Sequence, residues 1–179
     1  MKIYNVNDID VNELVYSQPK ANVMGGQSVH ISLPNNDPII IQTPKVQLPY
    51  GLSQFNNRMS IEMLLTGKTS TSQNFIHFLQ KFDTANISRA TVESANWFGK
   101  RIDKSIVTDL YNKQLKTING DNGMRAKIQM KNNEFVGDVF DSNKRPISIH
   151  AINPNCTIQA ILECVGMYFI SKEFGITWR

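Results

Sequence analysis

Arg125-Ala126-Lys127-Ile128-Gln129-Met130-Lys131 alternates a long polar side chain with an apolar one at every step. Period two is the repeat of an extended strand, whose successive side chains point to opposite faces. The stretch therefore reads as a half-buried strand. Ala126, Ile128 and Met130 point to a core, while Arg125, Lys127 and Lys131 form a row toward solvent. Asn132-Asn133 follows, placed where a tight hairpin turn needs the positive φ that Asn tolerates. Downstream, Phe135 to Phe140 reads as the return strand and Asp141-Ser142-Asn143-Lys144 as the next turn. Pro146 to His150 reads as a short strand, Thr157 to Phe169 as a long apolar one, and Gly175-Ile176-Thr177-Trp178 as a final strand.

Upstream the period changes. No Gly or Pro falls between Ser70 and Phe98, and Phe75, Phe78, Leu79 and Phe82 sit at i, i+3, i+4 and i+7. That spacing is one face of a helix, with Ser70 or Ser72 as its N-cap and Gly99 as its stop. A second helix is expected from about Asp103, with Ile106, Val107, Leu110 and Tyr111 on its apolar face. Further upstream the chain is β again and cut by proline. Val29 to Leu33 is a strand, Pro34-Asn35-Asn36-Asp37-Pro38 a turn, and Ile39-Ile40-Ile41 a strand closed by Thr43-Pro44. Met59, Ile61, Met63 and Leu65 alternate as a half-buried strand, and Met24-Gly25-Gly26-Gln27-Ser28 reads as a tight turn. Seven or eight short strands with helices grouped at about 70–116 suit a small barrel or sandwich rather than a βαβ array. The expected class is mainly β with a helical insert (α+β), as a single domain over 1–179.

Of the 179 residues, 41% are hydrophobic and 19% charged, a globular balance that excludes a disordered chain. The net charge of +4 permits a polyanionic partner without demanding one. No apolar run approaches the roughly 20 residues of a membrane-spanning helix, and the N-terminus lacks a signal-peptide pattern. Cys156 and Cys164 stand without a disulfide framework, which suits free thiols in a reducing compartment. The expected location is intracellular, with no membrane partner.

Catalytic patterns are missing. His30, His77 and His150 are scattered without metal-ligand spacing, and the Gly-rich turn lacks the lysine and helix of a phosphate loop. Glu134, Asp138 and Asp141 read as solvent or turn positions. We expect no catalytic residues, metal or cofactor. The row of Arg125, Lys127 and Lys131 has the pattern a phosphate backbone would contact. It is equally what a half-exposed strand shows to water, and pattern alone leaves both readings open. Aromatics near loops or cations, among them Tyr50, Phe55, Trp97 and Trp178, are candidates for base stacking. Trp97-Phe98-Gly99-Lys100-Arg101 joins aromatics to two cations at a helix end, where Lys100 and Arg101 also favour the helix dipole.

Three stretches, in order, carry a resemblance. They are Gln18-Pro19-Lys20-Ala21-Asn22 to Val29 with Thr43-Pro44 and Tyr50-Gly51-Leu52-Ser53-Gln54-Phe55; Ala95-Asn96-Trp97-Phe98-Gly99-Lys100; and Cys164 to Phe169 leading to Phe174-Gly175-Ile176-Thr177-Trp178-Arg179. Together they resemble the OB-fold single-strand-binding proteins of nucleo-cytoplasmic large DNA viruses. That family is distantly similar to the replication single-strand-binding protein of a short-tailed coliphage. The resemblance implies an OB-like five-stranded barrel with additional strands and two inserted helices, no cofactor, and a location in the infected cell, in a cytoplasmic viral factory or the nucleus. It implies non-catalytic, weakly sequence-dependent binding of single-stranded DNA in viral replication, recombination or repair, with viral replication proteins or further copies of the chain as partners. The phage-type proteins end in an acidic tail, whereas this sequence ends at Trp178-Arg179, which departs from that pattern. On the physical reading, Arg125, Lys127 and Lys131 contact phosphates, Lys100, Arg101 and Arg179 line the rim, and Tyr50, Phe55 and Trp178 are stacking platforms. The alternative is a virion structural or assembly protein with a β-sandwich fold.

Overall fold

A computed structural model describes residues 2–21, 25–55, 58–132 and 134–179, and of Phe55 the backbone alone. Met24 and Asn133, which belong to two of the expected turns, lie outside the described residues. The chain begins with β1 (Val15–Tyr16), β2 (Lys20–Ala21), β3 (Gln27–Val29), β4 (Ile31–Ser32), β5 (Ile40–Gln42), β6 (Val46–Leu48), β7 (Leu52–Phe55) and β8 (Arg58–Leu65). Helices α1 (Ser70–Val92), α2 (Ser94–Phe98) and α3 (Lys104–Leu110) follow. The rest is β9 (Tyr111–Asn112), β10 (Lys116–Ile118), β11 (Asp121–Lys127), β12 (Met130–Lys131), β13 (Glu134–Phe135), β14 (Cys156–Ile158), β15 (Ile161–Ile170) and β16 (Glu173–Trp178). The protein is thus mainly β with a few helices.

Two larger sheets carry most of the strands. One has the order β10-β11-β8-β6-β14 with β7 also on β8; the other runs β2-β3-β15-β16-β9 with β5 also on β15. They share a corner. Residues 40–48 and 156–163 form one long antiparallel ribbon, with Leu48 opposite Cys156 at one end and Ile40 opposite Glu163 at the other. At its middle Thr43 N–H donates to the Ala160 carbonyl at 2.8 Å, and Thr43 Oγ1 accepts from Ala160 N–H at 2.9 Å. Thr43-Pro44 therefore bends a ribbon that continues from one sheet into the next, rather than ending a strand. At the opposite seam β11 and β16 run close together. No backbone ladder joins them among the described residues, so a closed barrel is not seen there.

The helical insert fills the core. Phe75, Phe78, Leu79 and Phe82 are all buried, as their spacing requires, and Phe82 meets the edge of Trp178 at 6.2 Å. Each such side chain contributes about 1.5–3 kcal/mol by leaving water. The cap is Thr69, one residue before the expected Ser70: its hydroxyl accepts from Ser72 N–H at 3.2 Å, while the Ser72 hydroxyl accepts from Gly67 N–H at 3.2 Å. The segment read as one helix to Phe98 is two, because Glu93 leaves helical geometry at φ −87°, ψ 9°. Gly99 then stops α2 in the left-handed region at φ 73°, which a residue without Cβ adopts freely. Of the expected apolar face of α3, Val107 and the following Tyr111 are buried and Leu110 is partly buried against the core, whereas Ile106 is 49% exposed.

Three expected strands differ. Pairing after the Asn132 turn (φ 52°) stops at Phe135, whose ring folds back against Gly137. Pro146 makes one isolated bridge to Phe140, and Ile149–Ala151 is a 3-10 turn instead of strand. Thr157 to Phe169 is split by residues 159–160 at the corner. Asp141 does organise its turn, accepting from Asn143 and Arg145 N–H at 2.8 and 2.9 Å. Both cysteines are free, and burial pushes the Cys164 thiol pKa up to about 12. Among the described residues no helix is long and apolar enough to cross a membrane.

Candidate nucleic-acid interface

Alternation on β11 puts Met124 and Ala126 in the core and Arg125 and Lys127 outside. Their neighbours across the ladder on β8 are Glu62 and Ser60, and Arg58 stands two residues further along the same outward row. The Arg125 guanidinium lies down on the sheet, with Nε and Nη2 donating to the nearly buried Ser60 Oγ at 3.0 and 2.9 Å. Lys127 Nζ reaches over the seam and donates to Thr177 Oγ1 on β16 at 3.4 Å. Burial of its stem first, then the positive charges of Arg58 and Arg125, lower the Lys127 pKa. Three cations thus crowd one face, and the partners found for Lys127 and Arg125 are neutral hydroxyls.

The same face continues onto the second sheet. Thr177 lies on β16, and Arg179, one residue past its end, exchanges backbone hydrogen bonds with Glu163. Arg179 Nε and Nη2 both donate to Glu163 Oε2, at 2.9 and 2.8 Å, so its charge is neutralised locally. Beside them Tyr168 of β15 stands opposite Gly175 of β16.

The other expected residues separate. Lys131 leaves the row: among the described residues the last contact of this chain segment with β8 is Ile128 N–H to the Met59 carbonyl, and Lys131 pairs with Glu134 in the small β12-β13 ribbon. Lys100 and Arg101 are exposed but line a separate depression with Val92, Ile102, Ile106 and Leu110. Tyr50 is 49% exposed in the turn between β6 and β7. The Phe55 backbone pairs with Arg58, and its side chain lies outside the described residues.

Trp178 is a correction. It is only 2% exposed, and its indole N–H donates to Gln114 Oε1. β16 turns Phe174 and Trp178 inward and Thr177 outward, so Trp178 packs the core and offers no open π face. The residues that sequence reasoning missed are Arg58, Thr177 and Tyr168. Arg58 had a signal, since period two from Met59 places Arg58, Ser60 and Glu62 on the outward face. For Tyr168 the signal was weaker: it stands between two core residues, Met167 and Phe169, in a run that reads as wholly apolar. His30, His77 and His150 are all exposed, and no group of three or more His, Cys, Asp or Glu among the described residues is placed to hold a metal.

The comparisons with known proteins bear on family and source. A profile described as a family of unknown function (DUF5871) matches residues 62–179, from the middle of β8 through β16. The uncharacterized protein L291 of Acanthamoeba polyphaga mimivirus, a nucleo-cytoplasmic large DNA virus, is 25% identical over 152 residues. That match covers 78% of this chain and 24% of the viral protein, so the chain spans about a quarter of the length of the relative it matches. No solved structure matches the chain.

Proposed function

The chain belongs to a family of unknown function (DUF5871), and for it we propose non-catalytic, weakly sequence-dependent binding of single-stranded DNA, serving viral replication, recombination or repair. The observation that carries this reading is the outward cluster of Arg58, Arg125 and Lys127, continued across the seam to Thr177. Arg58 and Arg125 both lower the Lys127 pKa by their positive charge, and a phosphate backbone relieves that repulsion while releasing counterions. The fold that goes with the reading is an OB-like barrel left open at the β11–β16 seam. Such a half-open face suits a strand whose bases are unpaired, because it combines cations with apolar side chains.

The test is fluorescence anisotropy of end-labelled oligo-dT and of a matched duplex across salt concentrations. Three phosphate contacts predict a slope of log K against log salt of about −2 for the single strand, at roughly −0.7 per contact. Tighter binding of oligo-dT than of duplex is expected. Equal binding of duplex, or no binding of either at low salt, defeats the proposal.

A second reading is a virion assembly protein, and one observation favours it: Ile161, Val165 and Ile170 of β15 are 47, 40 and 55% exposed. Its mark is self-association by light scattering that is indifferent to added oligonucleotide.

A further inference from the structure

We propose that Tyr168 is the platform on which a base of the bound strand stacks, while Lys127 and Arg125 hold phosphates of the same strand across Thr177. The inference rests on the single-strand reading above and adds to it the residue that reads the bases.

The geometry of Tyr168 is unusual for a strand residue. Its hydroxyl oxygen accepts from Asn112 Nδ2 at 2.9 Å and donates to Glu173 Oε1 at 3.1 Å. Asn112 belongs to β9, which pairs with the far side of β16. Two strand spacings, about 9.6 Å, separate β15 from β9. A tyrosine can make that contact only by lying along the sheet across β16 instead of standing up from it. Gly175, directly opposite Tyr168, makes the path possible. A Cβ at that position would fall 3.2 Å from the tyrosine hydroxyl oxygen and 2.9 Å from the Asn112 carbonyl oxygen. The hydroxyl end of the side chain therefore reaches past the glycine, and Tyr168 as a whole is half-buried on the outward side of the sheet.

With the hydroxyl engaged, what the exposed part of Tyr168 offers a ligand is its π surface and no spare hydrogen-bonding group. Such a surface accepts any base, which matches weak sequence dependence. Val165 and Ile170 flank it as exposed apolar neighbours on the same strand. Two residues along β16 from Gly175 is Thr177, a step of about 7 Å, and Lys127 Nζ lies 3.4 Å from its hydroxyl. Cation and platform are a short step apart for an extended nucleotide chain. The Glu173 carboxylate sits at the hydroxyl end of the ring, on the side away from Thr177 along β16. It disfavours phosphates there and so directs them to the Lys127 side.

The experiment compares two probes on the full chain: labelled oligo-dT, and an abasic deoxyribose-phosphate oligomer of equal length and charge. The wild-type protein should prefer oligo-dT. Tyr168→Ala should weaken oligo-dT binding about tenfold, the loss of one stacked base, and leave the abasic oligomer unchanged. Tyr168→Phe, which keeps the ring, should stay within about threefold of wild type on both. The double variant Arg125→Ala/Lys127→Ala should weaken both probes. If Tyr168→Ala binds oligo-dT normally while the double variant loses affinity, the platform assignment is wrong and the single-strand reading stands. An equal loss on both probes would make Tyr168 a structural residue and overturn stacking. If the wild-type protein binds neither probe, the single-strand reading itself fails and the platform with it. Loss of self-association in Tyr168→Ala with unchanged oligo-dT binding would assign the surface to a protein partner.

Discussion

Thr177 and Trp178 are adjacent on β16 and belong to two opposite kinds of polar environment. Trp178 points inward and joins a buried set beneath α1. There Asp83 Oδ1 accepts from the Tyr111 hydroxyl and from Gln114 Nε2, both at 2.7 Å, and Asp83 Oδ2 accepts from the Gln114 backbone N–H at 3.2 Å. Asn86 extends the chain, donating to the Tyr111 hydroxyl at 3.1 Å and accepting from the Tyr16 hydroxyl at 2.8 Å. Among the described residues no buried side-chain polar atom lacks a partner. Thr177 points outward and meets Lys127, on a face where Arg125 likewise meets the Ser60 hydroxyl. Inside, among the described residues, every buried side-chain donor and acceptor has a partner, and these bonds tie α1, β9 and β16 together. Outside, the side-chain contacts of Arg125 and Lys127 are to the neutral hydroxyls of Ser60 and Thr177, and Arg179 pairs with Glu163.

Breaking the inner set should have the largest effect. Asp83→Ala orphans the donors of Tyr111 and Gln114 in a site closed to water, and should cost about 3 kcal/mol in urea unfolding. Its charge state also gives a pH signature. Burial outweighs the hydrogen bonds and raises the Asp83 pKa above its ordinary value. Between the unfolded and folded pKa values the native state binds the extra proton, so this residue's contribution to stability increases as pH falls through the raised pKa and levels off below the ordinary one. In Asp83→Asn that acid-side gain should vanish, and a pH series of urea midpoints checks it. Asp37 and Asp141 have lowered values, through hydrogen bonds from Tyr4 and from the Arg145 backbone respectively, and titrate in the opposite sense. The comparison with wild type must therefore be made at each pH.

Next in size is the strip between the two regions. Gly175→Val should push Tyr168 and Asn112 apart and cost about 1–3 kcal/mol, as other overpacked sites do. It should also lower oligo-dT binding while sparing the abasic oligomer. The outer face should contribute least to folding. Arg125→Ala/Lys127→Ala should change stability by less than about 0.5 kcal/mol, yet flatten the salt slope by about 1.4, at roughly 0.7 per lost contact. The smallest effect is expected in tryptophan emission. Trp97 and Trp178 are 5 and 2% exposed, so saturation with oligo-dT should leave their fluorescence nearly unchanged. Strong quenching would mean that binding rearranges β16 and would erase the contrast between its two faces.

Much of the fold was legible from period alone. The helical run around Phe75 to Phe82 and the alternations at Met59 to Leu65 and Arg125 to Lys127 are local patterns, and the structure follows them. The candidate site was half legible. Arg125 and Lys127 could be placed outward because strand geometry is local. Lys131 could not be excluded, because its departure depends on where pairing with β8 ends, and β8 lies more than sixty residues earlier in the chain.

The end of the chain shows the division most plainly. Sequence by itself predicted a final strand over Gly175 to Trp178, in which strand geometry sets Trp178 on the side opposite Thr177. Tertiary structure alone decided which of those sides is the inside. It did so by bringing Gln114 to the indole and Lys127 to the threonine, from elements 64 and 50 residues away. Alternation fixes a side chain's relation to its neighbours in the strand, whereas burial depends on what the rest of the chain lays against that strand. For the same reason Tyr168, set among core residues in the sequence, lies on the outer surface across Gly175, and Trp178, the expected platform, closes the core.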